Sequence, residues 1–334
     1  MNAVLVPSVL ALVLVISAFA GPRLIRTAAP LLMRVPRLAV MVLVAGVGFW
    51  ALSVASLSLM LAWTVTGPSI LPAPAADVCQ RCLAAASPFG TVGTIDTVIP
   101  SALLLLLPAL GALVATAIGI RRSLAIRRRT RVLSREILAT ARLQIVSEHR
   151  VLVLDDERPI AFSLPRRSGG VVVSTGLVTV LDADELAAVL THEQEHVRGK
   201  HHLVLSLLDL MTASLRWVPL ARDVAHAVPH YLEIAADNAA RRQTGTPTLA
   251  GALLKLGSPD KVFTAAHVHD TASPVLHAAG TDRIARLVRP PRLRPAVLPA
   301  AALALLLAAF SAAAVAVHGP YLSVILTGCH LPAS

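Results

Sequence analysis

The residues best placed to do chemistry are His192-Glu193-Gln194-Glu195-His196. On a helix, positions four apart share one face, so His192 and His196 can offer two imidazole nitrogens to a single metal ion. Glu193 stands beside the first histidine and can reach a water bound to that ion. This is the spacing of zinc-dependent hydrolysis, with the glutamate as general base. A hydrolytic zinc centre takes three protein ligands and keeps one position open for water, so a third ligand must come from elsewhere. Glu233, in Glu233-Ile234-Ala235-Ala236-Asp237, is the best candidate, because a two-His, one-Glu set is a known hydrolytic arrangement. Asp237 lies one turn further along the same face, where a carboxylate can orient a ligating histidine. His226 and His230 share that face and are rival ligands. His230 and Tyr231 are candidates to stabilise an oxyanion. His201 and His202 follow the motif at offsets off the ligand face and read as helix-end or basic-surface residues.

These side chains need elements to hold them. Asp182, with Glu185 three residues on, forms a capping-box-like helix start ahead of an apolar-periodic stretch. That helix is expected to run to about His202. Upstream, the runs 151–154, 159–163 and 171–174 are β-rich and separated by turn residues. Pro229 suits the first position of a helix, which would carry 230–243 and hence Glu233 and Asp237. Residues 203–220 are apolar but contain Asp209 and Arg216. Each costs about 2.5–3.5 kcal/mol at the centre of a membrane helix, so a buried or membrane-apposed helix is expected there. Residues 121–142 read as a basic helix, and 244–295 is punctuated by proline. Residues 121–295 together suit one domain of ordinary size.

The rest of the 334-residue chain is of another kind. It is 55% hydrophobic and only 15% charged, with a mean hydropathy of +0.71, and the missing charges are missing in blocks. Residues 1–22, 38–76, 97–120 and 295–334 contain no Asp, Glu, Lys or Arg. A bilayer span needs about 20 apolar residues, so four spans are expected, at about 2–20, 39–66, 98–120 and 296–317. This excludes an ordinary cytosolic protein and a disordered one. The net charge of +11 gathers in two alternate loops, which is an orientation signal before it is a nucleic-acid signal, and no direct nucleic-acid partner is expected. Arg23, Arg26, Arg34 and Arg37, and the arginines from Arg121 to Arg135, place the 23–37 loop and the 121–295 domain in the cytoplasm of a cell-membrane protein. Both termini then lie outside, with 296–334 forming the last span and a short tail.

Ala18-Phe19-Ala20 resembles a signal-peptidase site, but residues 1–22 lack the basic start of a signal peptide. No expected span carries a charge, which argues against an ion-coupled transporter. Cys79, Cys82 and Cys329 all fall outside on this topology, where disulfides persist, and their pairing is open.

The order Pro159-Ile160-Ala161-Phe162-Ser163, Val171 to Leu177, Asp184 to His196, then Glu233 to Asp237 resembles the membrane metallopeptidases of the BlaR/MecR type and, more distantly, the HtpX type. The resemblance covers roughly 150–245 and the four-span order. It implies a mainly α membrane protein. Four transmembrane helices would carry a cytoplasmic α+β gluzincin-like metallopeptidase domain between helices 3 and 4. It implies His192, His196 and Glu233 as ligands of Zn2+, Glu193 as general base, and Asp237 as the partner of a ligand histidine. It also implies strand 171–175, with Val172, Val173 and Ser174, as the edge that holds an extended substrate. The substrate would be a cytoplasmic repressor-like protein for the BlaR type, or damaged membrane proteins for the HtpX type. A catalytically silent scaffold that kept the fold is the alternative of another class. BlaR-type receptors carry an external penicillin-binding sensor after the fourth span, and this chain has about 17 residues there. Ser258-Pro259-Asp260-Lys261 matches SxxK but lacks the partner motifs of such a sensor.

Overall fold

The computed structural model describes residues 5–66, 101–256 and 294–327. The three cysteines, Ser258 and Lys261 lie outside the described residues. Two long apolar helices open the chain, α1 (Leu5–Leu32) and α2 (Pro36–Thr66), and another closes it, α9 (Arg294–Thr327). Within them Ser8–Leu32, Pro36–Leu57 and Val297–Ala316 are long and apolar enough to cross a bilayer. The remaining expected span, 98–120, straddles the start of a described segment. Its described part is the first half of α3 (Ser101–Thr140), a 40-residue helix whose second half is the expected basic helix. The first helix is longer than expected. Instead of ending near residue 20 it runs through Gly21-Pro22 and carries Arg23 and Arg26 as helical residues.

The β-rich runs form a four-stranded sheet of β1 (Arg142–Val146), β2 (His149–Leu154), β3 (Ala161–Ser163) and β4 (Val171–Ser174), in the order β1-β2-β4-β3. β2 and β4 are parallel, while β1 and β3 pair antiparallel on the two flanks. Alternate residues of the central strands go to opposite faces. Val151, Val153, Val171 and Val173 pack on Leu186, Val189 and Leu190, and Leu152, Phe162 and Val172 pack on Ile137 of α3.

The short helix α4 (Thr175–Val180) leads from the sheet to α5 (Ala183–Arg198). The capping box expected at Asp182 is present in full. Its carboxylate accepts from the Glu185 N–H, and the Glu185 carboxylate accepts from the Asp182 N–H. Lys255, on α8 (Thr246–Leu256), pairs with the same Glu185. α5 stops at Arg198, earlier than expected. The chain turns at Gly199-Lys200, with Lys200 left-handed at φ +51°, and restarts as α6 (His201–Thr212).

α7 (Pro219–Thr244) departs more strongly from expectation, since it starts at Pro219 and runs through Pro229. A proline inside a helix normally costs about 3 kcal/mol. Here Val224, Val228, Tyr231 and Leu232 lie on either side of Pro229 and are buried in one cluster with Leu14 of α1, Leu43 and Trp50 of α2 and Phe310 of α9. That packing outweighs the lost backbone bond. Leu208 of α6 joins the same cluster. Three basic residues of the anchor helices add charge contacts to it. Arg26 pairs with Asp223 at 3.2 Å, Arg37 with Glu195, and Arg122 with Asp209 at 3.8 Å. Arg216 also holds Asp209, at 2.9 Å. Asp209 and Arg216, which count against a span within 203–220, are thus paired with each other, and Asp209 also with Arg122 of α3.

Candidate metal centre

α5 and α7 lie against each other, and the candidate residues meet between them. Heptad-like spacing puts His192 and His196 on the face of α5 turned to α7, where Glu233 and Asp237 sit one turn apart. Glu233 Oε2 is 3.3 Å from His192 Nε2, and its Oε1 is 3.2 Å from His196 Nε2. The two Nε2 atoms are 3.2 Å apart. Two imidazole nitrogens and one carboxylate oxygen thus lie within 4.8 Å of one another. Glu193, the next residue of α5, is buried with them. The rival ligands fall elsewhere: His226 is exposed, and His230 lies partly exposed against Tyr231.

Each histidine is held from behind through Nδ1. Asp237 Oδ1 lies 3.1 Å from His192 Nδ1. His201 Nδ1 lies 2.7 Å from His196 Nδ1. The first contact was expected and the second was not. A helix continuous to residue 202 would carry His201 away from the ligand face, but the turn at Gly199-Lys200 brings it back.

The electrostatics favour a cation at the centre. Burial alone would push the His192 imidazole down, but the Asp237 and Glu233 carboxylates outweigh it and hold its pKa up at about 10. Burial likewise opposes ionisation of Glu233, and the two histidines overcome it, holding this carboxyl well below the usual range. His201 goes the other way, to about 3, chiefly through burial and then through the neighbouring His196. Borderline-soft nitrogen donors with one hard carboxylate suit a divalent transition ion such as zinc, so the donor set fits the metal that the motif implies.

One expectation is corrected. Val172, Val173 and Ser174 do not form an edge. β4 is an internal strand, paired with β2 on one side and β3 on the other, and all four of its residues are buried. The Ser174 hydroxyl is also committed, accepting from the N–H groups of Ile160 and Leu177 and donating to the Arg158 carbonyl. Among the described residues, the unpaired sheet edge beside α5 belongs to β3. Antiparallel residues alternate in direction. Since Ile160 accepts from the Ser174 N–H and Leu164 donates to Gly170, Ala161 and Ser163 direct their backbone groups away from β4.

Residues 127–244 match peptidase family M48. The matched stretch holds the sheet, α5 to α7, and every residue of the centre, and it supports a metal-dependent protease of that family. Two curated relatives match a shorter part. Both are named "Protease HtpX homolog". The one from Acidiphilium cryptum (strain JF-5) is 34% identical over 68 residues, 20% of this chain and 24% of that protein. The one from Thermodesulfovibrio yellowstonii (strain ATCC 51303 / DSM 11347 / YP87) is 28% identical over 71 residues, 21% and 25% of the two chains. The chain thus spans about a quarter of the length of these relatives. No solved structure matches it. The stretch similar to that family packs against helices long and apolar enough to cross a bilayer.

Proposed function

We propose that the chain is an integral-membrane zinc endopeptidase of the HExxH gluzincin type that cleaves protein substrates at the cytoplasmic face. The observation that carries this reading is the convergence of His192, His196 and Glu233 beside Glu193. His192 and His196 would hold the ion through Nε2, and Glu233 would supply the third ligand. When bound, zinc polarises the scissile carbonyl and lowers the pKa of water towards about 7. Glu193 takes the proton of the attacking water and delivers it to the leaving amine. Asp237 holds His192 in its ligating orientation through Nδ1. The substrate lies extended along β3, where Ala161 and Ser163 pair with its backbone, in place of the β4 edge expected from sequence.

In this reading α1, α2, the first half of α3 and α9 are four spans, both termini are outside, and the bilayer is the protein's constant partner. The span order favours a BlaR-like role in which the substrate is a regulatory, repressor-like protein. The HtpX-named relatives favour a second substrate class, damaged membrane proteins. Substitution Glu193→Gln tests both. It should lower proteolysis by about 10²–10⁴-fold while zinc stays bound, and a proteomic comparison with wild type would name the accumulating substrates. Undiminished cleavage by this variant would refute the role of Glu193. An inert wild type that holds less than half a zinc per chain would leave a scaffold.

A further inference from the structure

The two candidate histidine ligands are supported differently. His192 is backed by the Asp237 carboxylate on α7, and His196 by another histidine, from the start of α6. His201 is about as buried as the ligands themselves, at 5% exposed. Its ring meets that of His196 edge-on, at 88° with centroids 4.7 Å apart.

The link between the helices is fitted to that contact. Lys200 adopts a left-handed backbone, a conformation unfavourable for a non-glycine residue. A Cβ at Gly199 would fall 2.5 Å from His201 Nε2 and 2.7 Å from its Cδ2. Only glycine leaves room for the imidazole to fold back beneath His196. A helix connection needs neither feature by itself, and together they aim His201 Nδ1 at His196 Nδ1.

Building on the metal-centre reading above, we propose that His201 is a positioning residue for the metal centre. Its Nδ1 accepts the Nδ1 proton of His196 and so turns the Nε2 lone pair of His196 to the ion. A ring N–H···N bond needs one donor and one acceptor. With the ion on His196 Nε2, as the metal-centre reading has it, the proton of that ring is on Nδ1, 2.7 Å from His201 Nδ1, and His201 must accept. A neutral acceptor here also leaves the charge balance of the centre unchanged.

The test is zinc affinity of the full-length purified protein, read by chelator competition, together with the Co2+ absorption spectrum of the ligand field. His201→Leu removes the acceptor and should weaken zinc binding by about 10–100-fold, as loss of an outer partner does, and alter the Co2+ bands. His201→Asn places a carbonyl oxygen close to where Nδ1 stands and should restore affinity to within a few-fold of wild type. Should His201→Leu fail to fold, His201→Phe keeps the ring volume without the acceptor and takes its place. Equal zinc affinity in the apolar variant and the wild type would overturn the proposal, as would an Asn variant as weak as the apolar one. Absence of zinc from the wild type would instead fall on the metal-centre reading and take this inference with it.

Discussion

The two helices that carry the candidate ligands are seated in different surroundings. α5, with His192 and His196, is bedded on the sheet through Leu186, Val189 and Leu190. α7, with Glu233 and Asp237, is bedded on the anchor helices through Val224, Val228 and Leu232. The ligands meet only because these two regions are pressed together. The contact between them includes small-residue packing, Ala188 against Ala240 with Leu249 and Leu253, the Thr191 hydroxyl donating to the Gln243 amide oxygen at 3.0 Å, and the Arg37–Glu195 pair. A metal ion at the proposed centre would therefore also fasten the sheet to the apolar helices, and displacement of either region would alter its coordination.

The strongest way to break this comparison is to remove the fastener from one side. Glu233→Ala leaves both histidines on α5 but takes away the only ligand on α7. Zinc affinity should fall further than the 10–100-fold typical of losing an outer partner. Stripping zinc from the wild type should lower the unfolding midpoint, by about 4 kcal/mol of stability if zinc was present at 1,000 times its dissociation constant. A thermal shift in detergent, with and without chelator, measures this.

Next in size is the sheet side alone. Leu190→Ala empties a fully buried position under the histidines and should cost about 2–5 kcal/mol with a parallel loss of zinc affinity. An unchanged zinc affinity in that variant would show that the two regions are not coupled through α5.

The metal-free form should also carry a pH signature. His192 has a folded pKa of about 10 against about 6.5 when unfolded. Its protonated form thus stabilises the metal-free fold fully below pH 6.5, and that contribution is lost as pH rises through about 10. Zinc displaces this proton, so the loaded protein should lack this alkaline loss. Unfolding midpoints across pH 6–10, with and without zinc, check the sign. The smallest effect belongs to Arg37→Ala. The Arg37 side chain is largely exposed, and such pairs are worth at most about 1 kcal/mol, so a small, salt-sensitive shift in midpoint is expected.

Legibility from sequence followed the same division. The ligand pair was visible because i, i+4 spacing and the Asp182 cap are local, and Glu233 was visible because its helix carries the ligand and its orienting acid one turn apart. What failed was decided by tertiary contact. Pro229 looked like a helix start, but burial of Val224 to Leu232 among the anchors carries the helix through it. His201 looked like a surface residue because a continuous helix was assumed. Gly199, close to the end of the apolar period, was the available sign that the helix stops there. The resemblance implies strand 171–175 as an edge, although an unbroken run of valines is the pattern of a strand buried on both faces, and the strand is internal. The Arg37–Glu195 and Arg26–Asp223 pairs had no sequence signal, since they join segments more than 150 residues apart.

The central claim, one metal ion held between α5 and α7, is tested most directly by the zinc content of the purified full-length protein beside its Glu233→Ala variant. One zinc per chain in the wild type and little in the variant is the expected result. Less than about half a zinc per wild-type chain, or equal content in both, would contradict it.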